Sequence, residues 1–327
     1  MQIIVFALQS DLHADSVVYH LNKKGIGVIR IDPTLDKEIP EKTFISSALY
    51  YNAYYEFHNN MKINPLECNG IFCRFAIDIL MPNSEDPLKK FSLSESLTAF
   101  LAPLRIIESA RWINDPWIEN RVDCKILQSK IAKDIGMKTP EFIISSNYND
   151  LLSFYNEYEN VIIKPLSDTP LALVGEKFIK DEELYTESFH APYSTKFSPN
   201  KNIDITNIDN TPTFLQVEIK KRADIRATII DEKLFAVEIP YREGNPIDFR
   251  LNRITGIKEF NISNDLKDKL IELVKRLGLR FASCDLILDT NNQIFFLESN
   301  VQGNWLWTEI NENINISETI ANALIKE

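Results

Sequence analysis

The chain is poor in glycine, with nine in 327 residues. None falls into a Gly-x-x-x-x-Gly-Lys-Ser/Thr loop or a Gly-x-Gly-x-x-Gly turn, the arrangements in which glycine backbone wraps a phosphate. P-loop and Rossmann nucleotide sites are therefore excluded. A Gly-x-Ser-x-Gly elbow is also missing, which removes the α/β-hydrolase nucleophile. Histidine is scarcer still: His13, His20, His58 and His190 are too scattered for a metal cluster. Cys68, Cys73, Cys124 and Cys284 show no Cys-x-x-Cys spacing, so they predict reduced thiols in a cytosolic protein rather than a zinc site or a disulfide framework. No apolar run approaches the roughly 18 residues that a membrane helix needs. The apolar opening Met1–Leu8 has no basic residues before it and no small-residue cleavage site, so the expectation is a soluble, unexported, cytoplasmic protein that meets no membrane. Positive charge is short as well. A formal net charge of −11 argues against sequence-independent nucleic-acid binding, which rests on clustered cations, but leaves room for ATP, which needs only a few cations and a metal.

At 44% hydrophobic, the chain can bury the cores of two or three small domains. Gln2–Leu8 reads as a buried strand. Ser10 and Asp11 start a helix with Val17, Val18 and Leu21 on one face, and Gly27–Ile31 is the next strand, giving a β-α-β opening. Ala48–Phe57 and Gly70–Arg74 read as further strands. The pattern turns helical over Ser92–Asn114, and a second helix, Arg121–Ile135, closes at Gly136. Strand Glu141–Ser145, helix Asn149–Tyr158 and strand Asn160–Lys164 follow. The polar stretch Ser167–Asn210 is an expected lid. The last third predicts strands at Thr213–Ile219, Asp224–Ile230 and Lys233–Pro240, a helix over Asn264–Leu277, a hairpin, and a short helix from Ser317. Because these late strands follow one another without crossover helices, an α/β opening followed by α+β nucleotide-binding parts fits better than a doubly wound sheet. The expected divisions are 1–115, 116–212 and 213–327.

The hairpin Phe281–Asn300 is the most informative stretch. A two-residue loop at Asn291 and Asn292 pairs Asp289 with Ile294 and, further out, Asp285 with Glu298. Asn300 lies two positions beyond Glu298, on the same face. Two carboxylates directly opposed call for a compensating cation, and an oxygen-only set suits Mg²⁺. A solvated sheet face would carry the same three residues equally well. Upstream, Lys220, Asp224 and Arg226 share one parity and Ile225, Ala227 and Ile229 the other. A continuous strand would therefore pack one face and charge the other, as phosphoryl chemistry needs, or else form an exposed edge with an Asp224–Arg226 ion pair. Arg250 and Arg253 form a second basic pair. Lys164 at a strand end and Lys125 within the predicted helix would be ordinary solvated charges if taken alone.

Taken in order, these elements resemble the ATP-grasp ligases: a helix lysine, Ile-Ile-Lys-Pro ending at Pro165, the hinge strand Phe-Leu-Gln-Val-Glu-Ile ending at Ile219, Ala-Asp-Ile-Arg ending at Arg226, and Phe-Leu-Glu-Ser-Asn ending at Asn300. Three further segments are similar to the maturases of microviridin-type peptides, the graspetides. They are Ser-Asp-Leu-His-Ala-Asp ending at Asp15, Trp-Ile-Asn-Asp-Pro ending at Pro116, and Glu298 through Trp307. The resemblance implies an ATP-grasp fold with an N-terminal pre-ATP-grasp domain, a small central domain and a C-terminal ATP-binding domain. It implies an enzyme that uses ATP to phosphorylate an Asp or Glu side chain of a ribosomal precursor peptide, then closes an ester or amide macrocycle with a Ser/Thr hydroxyl or Lys amine. By that likeness Lys125 and Lys164 hold ATP phosphates, and Gln216, Glu218 and the Val217 backbone read adenine, with Lys220 and Asp224 beside them. Asp285, Glu298 and Asn300 bind Mg²⁺, and Arg226 and Arg250 stabilise the acyl phosphate. The leader of the peptide would dock between Ser167 and Asn210, and a homodimer is compatible with the family. The loop after Lys164 departs from the pattern, since it has no glycine before Gly175. Two other readings stay open: a carboxylate-amine ligase acting on a protein terminus or small metabolite, and a non-catalytic ATP-binding module.

Overall fold

The computed structural model describes residues 1–32, 42–47, 52–57, 60–74, 85–158, 160–166, 179–180, 183–184, 194–197, 212–240 and 256–326. Strand β1 (Gln2–Phe6), helix α1 (Leu12–Lys23) and strand β2 (Gly27–Ile31) form the expected β-α-β unit. Strands β3 (Lys42–Ser46), β4 (Asn52–Glu56) and β5 (Lys62–Ile63) make a separate antiparallel sheet. Strand β6 (Gly70–Cys73), helix α2 (Pro87–Leu101) and strand β7 (Trp112–Ile113) complete the N-terminal layer. Its parallel sheet runs β2-β1-β6-β7. Alternation along β1 sends Ile3 and Val5 to one core and Ile4 and Phe6 to the other, so the sheet is packed on both faces.

The helical pattern predicted over Ser92–Asn114 is shorter than expected. Helix α2 ends at Leu101, because Pro103 redirects the chain into a short 3₁₀ turn, and Trp112 and Ile113 join the sheet instead. The helix predicted over Arg121–Ile135 is two helices, α3 (Pro116–Val122) and α4 (Lys125–Asp134). Asp115 caps α3 by accepting from the N–H groups of Trp117 and Ile118, with Pro116 in the first turn, and the chain breaks helix at Asp123 and Cys124.

Strand β8 (Phe142–Ser145), helix α5 (Tyr148–Tyr158), strand β9 (Val161–Lys164), the two-residue strands β10 (Ile179–Lys180), β11 (Glu183–Leu184) and β12 (Thr195–Lys196), and strand β13 (Thr213–Val217) follow. β12-β9-β13-β8 form an antiparallel sheet whose small core is Leu151, Val161, Phe197 and Leu215. Most of the segment expected to form a lid and dock a leader lies outside the described residues.

The final sheet, β16-β15-β14-β17-β18, is antiparallel throughout: β14 (Lys221–Ile230), β15 (Lys233–Pro240), β16 (Lys258–Glu259), β17 (Phe281–Asp289) and β18 (Ile294–Asn300). Helix α6 (Asn264–Arg276) covers one face through Leu270, Leu273 and Val274, and residues of α4 join the same core. Helix α7 (Leu306–Glu312) was not foreseen. Helix α8 (Ile316–Ile325) returns to pack on α1 and the N-terminal sheet, where Ile316, Ile320 and Leu324 meet Ile3, Val5 and Leu21.

Candidate functional site

Strict alternation in β14 decides what each face carries. Ala223, Ile225, Ala227 and Ile229 enter the α6 core, and Asp224, Arg226 and Thr228 leave the opposite face. The neighbouring β17 does the same, with Cys284 and Leu286 inward and Ser283 and Asp285 outward. Register then aligns a row across three strands: Arg226 opposite Asp285, and Asp285 opposite Glu298. Arg226 Nη1 donates to Asp285 Oδ1 at 2.6 Å, and Asn300 Nδ2 donates to Asp285 Oδ2 at 2.8 Å. Lys125 Nζ lies 3.1 Å from Glu298 Oε2, so the two adjacent carboxylates are flanked by one cation at each end of the row.

The facing of Asp285 and Glu298 is as predicted, but it is reached differently. Ile294 pairs with Leu288 rather than Asp289. The loop spans Thr290 to Asn292, with Asn292 at φ 62° and Asp289 Oδ1 accepting from the N–H groups of Asn291 and Gln293. A bulge at Leu297 adds the residue that the longer loop consumed and restores the pairing of Asp285 with Glu298.

β18 ends the sheet, and α4 closes it. The side-chain amide of Gln128, fully buried, donates to the Ser299 carbonyl at 2.9 Å and accepts from the Ser299 N–H at 2.8 Å. The Phe296 N–H donates to the Lys138 carbonyl at 2.8 Å. These bonds satisfy backbone that would otherwise be stranded, and they fix α4 so that Lys125, at its first turn, stands over Glu298. Lys125 thus begins a helix rather than lying within one. Sequence reasoning passed over Gln128. The available signal was a polar side chain one turn from Lys125 on the face that carries Ala132.

Between the four-stranded and five-stranded antiparallel sheets lies a cleft open to solvent, lined by Lys125, Ser129, Thr139, Phe142, Lys164, Phe214, Gln216, Phe296 and Leu297. Lys125, Lys164 and Gln216, predicted from three separate segments, meet here. Ser129 and Thr139 were not predicted. Thr139 Oγ1 and Arg226 Nε are buried and meet no partner among the described residues. Val217 and Glu218 extend the hinge. Their N–H groups are already committed, to Glu141 O and Asn160 O, each at 2.9 Å. The Glu218 carboxylate sits 3.5 Å from Lys196 Nζ.

Other predicted residues fall elsewhere. Lys220 is exposed and precedes β14, and a register shift between Lys221 and Ala223 breaks the assumed continuous strand. Asp224 pairs with Lys221 at 2.7 Å, while Arg226 pairs with Asp285, so the expected Asp224–Arg226 ion pair is replaced by these two. Arg250 and Arg253 lie outside the described residues.

Burial pushes the Asp285 carboxyl above the usual carboxylate range and Glu298 adds to the rise, while Arg226 and Asn300 pull it down. Asn300 adds an amide oxygen beside the two carboxylates. The residues therefore fit a hard, oxygen-seeking divalent cation. Among the described residues no group of three His, Cys, Asp or Glu side chains could hold a metal, so any metal here would rest on two carboxylates, the amide and groups from a ligand. No helix is long and apolar enough to cross a membrane among the described residues.

Residues 201–324 match the RimK-like ATP-grasp domain. No curated protein matches the chain in sequence. Solved structures match over its whole length. A Chryseobacterium gregarium RiPP-associated ATP-grasp ligase in complex with ADP and a leader and core peptide superposes with a TM-score of 0.80 at 20% identity, covering 99% of this chain and 96% of that one. The macrocyclase MdnC of Microcystis aeruginosa, bound with precursor peptide MdnA, gives 0.79 at 19%, covering 100% of both chains. The ATP-grasp ligase PsnB, complexed with a minimal precursor, Mg and ADP, gives 0.71 at 20%, covering 99% and 97%. The chain has the ATP-grasp fold.

Proposed function

We propose that this protein is an ATP-dependent carboxylate ligase that closes macrocycles in a ribosomal precursor peptide. The observation that carries the reading is the charged row Arg226–Asp285–Glu298–Lys125, whose last member, Lys125, also lines the cleft that holds Lys164 and Gln216. Lys125 and Lys164 would grip the nucleotide phosphates, and Gln216 with the Val217 and Glu218 hinge would meet the base. Asp285, Glu298 and Asn300 would hold Mg²⁺, which on binding offsets the charge of the phosphates and makes ADP a better leaving group.

Chemistry then needs two displacements. An Asp or Glu carboxylate of the peptide attacks the γ-phosphorus, ADP leaves, and an acyl phosphate remains. A Ser/Thr hydroxyl or Lys amine attacks the acyl carbon and expels inorganic phosphate, giving the ester or amide, so the peptide loses one water per ring. Arg226, held by Asp285 at Nη1, is proposed to stabilise the transferring phosphoryl group, and Arg250 is proposed for the same task. The segment between Ser167 and Asn210 is proposed to dock the leader. The protein is proposed to act in the cytoplasm, with divisions at 115 and 212.

The test is incubation with Mg²⁺-ATP and a candidate precursor, a short Thr- and Glu-rich peptide sought among the neighbouring genes, read by mass spectrometry. Loss of one water per ring with matching ADP release is the expected result, and an unchanged peptide with nucleotide bound would leave a binding module instead. The RimK-like match favours a second reading, amide formation with a free amine. It would appear in the same experiment, with an amino acid supplied, as a gain in mass rather than a loss.

A further inference from the structure

The five residues after the metal-binding strand are gripped almost one by one from the N-terminal layer. Asn114 Nδ2 donates to the Val301 carbonyl at 3.1 Å. Arg74, at the carboxyl end of β6, donates to the Gln302 carbonyl at 2.6 Å and to Asn304 Oδ1 at 3.3 Å. Gln302 Nε2 donates to Glu119 at 2.7 Å, and the Gly303 N–H to Asn300 O at 3.2 Å. Trp305 is buried beneath the Arg74 guanidinium, 5.0 Å from it, and its backbone N–H points at His13 Nδ1, 3.5 Å away. Burial and the nearby Arg74 hold the His13 imidazole down to about 4, so it is neutral and can accept that bond. Arg74 is itself anchored by Asp11 at 3.2 Å, and its side chain is only 7% exposed.

Gly303 is the point where this strap touches the site. A Cβ at that position would lie 2.9 Å from Arg226 Nη2 and 2.7 Å from Ser283 Oγ, so the bare backbone forms one wall of the Arg226 pocket. The guanidinium is thus held by Asp285 on one side and bounded by residue 303 on the other.

We infer that Arg74 is a positioning residue for phosphoryl transfer, fixing the 301–305 strap so that Gly303 holds Arg226 in line with the terminal phosphoryl group of the nucleotide. Arg74 is assigned no direct part in holding the nucleotide: each of its three nitrogens already donates within the strap or to its anchor, to Asp11, Gln302 and Asn304. The inference rests on the functional reading above, and its experiment separates the two. Binding of Mg²⁺-AMPPNP and of Mg²⁺-ADP is measured by calorimetry for the wild type, Arg74→Lys and Asn304→Ala. A displaced Arg226 weakens only the nucleotide with a third phosphoryl group. Arg74→Lys should lower AMPPNP affinity roughly fivefold, about 1 kcal/mol, and leave ADP affinity within about twofold. Asn304→Ala should shift the same ratio in the same direction by less, and it carries the test alone where Arg74→Lys does not fold. Equal loss for both nucleotides, or an unchanged ratio, overturns the inference. A wild-type chain that binds neither nucleotide overturns the functional reading beneath it.

Discussion

The two sheets that face each other across the cleft rest on unequal foundations. The five-stranded sheet sits on α6 and α4 through a core that runs from Val122 to Val301, whereas the four-stranded sheet is backed by Leu151, Val161, Phe197 and Leu215 and a ring of half-buried aromatics. The residues that must hold a fixed mutual geometry, Arg226, Asp285, Glu298 and Asn300, are all on the first. Those that need only reach over a ligand, Lys164 and Gln216, are on the second. Local opening costs least where few apolar contacts are lost, so, on the described residues, the four-stranded sheet should open at lower cost than the five-stranded one.

Removing charge from the well-backed sheet tests that division most severely. Glu298→Gln should cut ATP turnover with the precursor peptide by at least roughly a hundredfold, about 3 kcal/mol of barrier, while leaving the melting temperature near that of the wild type. An enzyme that keeps its turnover would remove Glu298 from the site. Core truncations come next. Leu286→Ala should cost about 2–5 kcal/mol in denaturant unfolding and raise amide exchange across the whole C-terminal sheet, whereas Leu215→Ala should raise exchange only in β8, β9 and β13. Exchange that spreads equally from both variants would erase the contrast.

The connector between the regions offers two smaller tests. Burial pushes the Glu119 carboxyl up from 4.5 to about 7, against the hydrogen bonds from Gln302 and Asn114 that favour its ionised form. In the unfolded chain it ionises near the ordinary value, so its contribution to stability is fully present below about pH 4.5 and is lost as pH rises through about 7, on the order of 3 kcal/mol. Glu119→Gln should flatten the dependence of melting temperature on pH between about 5 and 8, and a variant with the wild-type slope would assign that slope elsewhere. Asp115→Ala, which removes the cap of α3, should cost about 1 kcal/mol.

What was legible in the sequence was what local pattern controls. Period-two alternation put Arg226 and Asp224 on one face of β14 and Asp285 with Glu298 and Asn300 on one face of the hairpin, but it left open which residues of β14 and β17 lie opposite each other. The pairing of Asp285 with Glu298 was legible only through two compensating errors, a longer loop and a bulge, which count toward register with opposite sign. Helix limits at Leu101 and Val122 were missed where proline or a cap overrides periodicity. The contacts that assemble the site were the least legible. Gln128 with Ser299, Arg74 with Gln302, and α8 with α1 join residues far apart in the chain, and none leaves a local trace.

The amide of Gln128 has one more effect. The last strand of a sheet ordinarily offers a row of backbone groups to any extended peptide, and peptide ligands often bind by strand addition. At Ser299 and Phe296 those groups are already taken by Gln128 and Lys138. A peptide that lengthens a sheet here has to choose a border other than β18, so its reactive side chain must approach the carboxylate row from above the sheet rather than from alongside it.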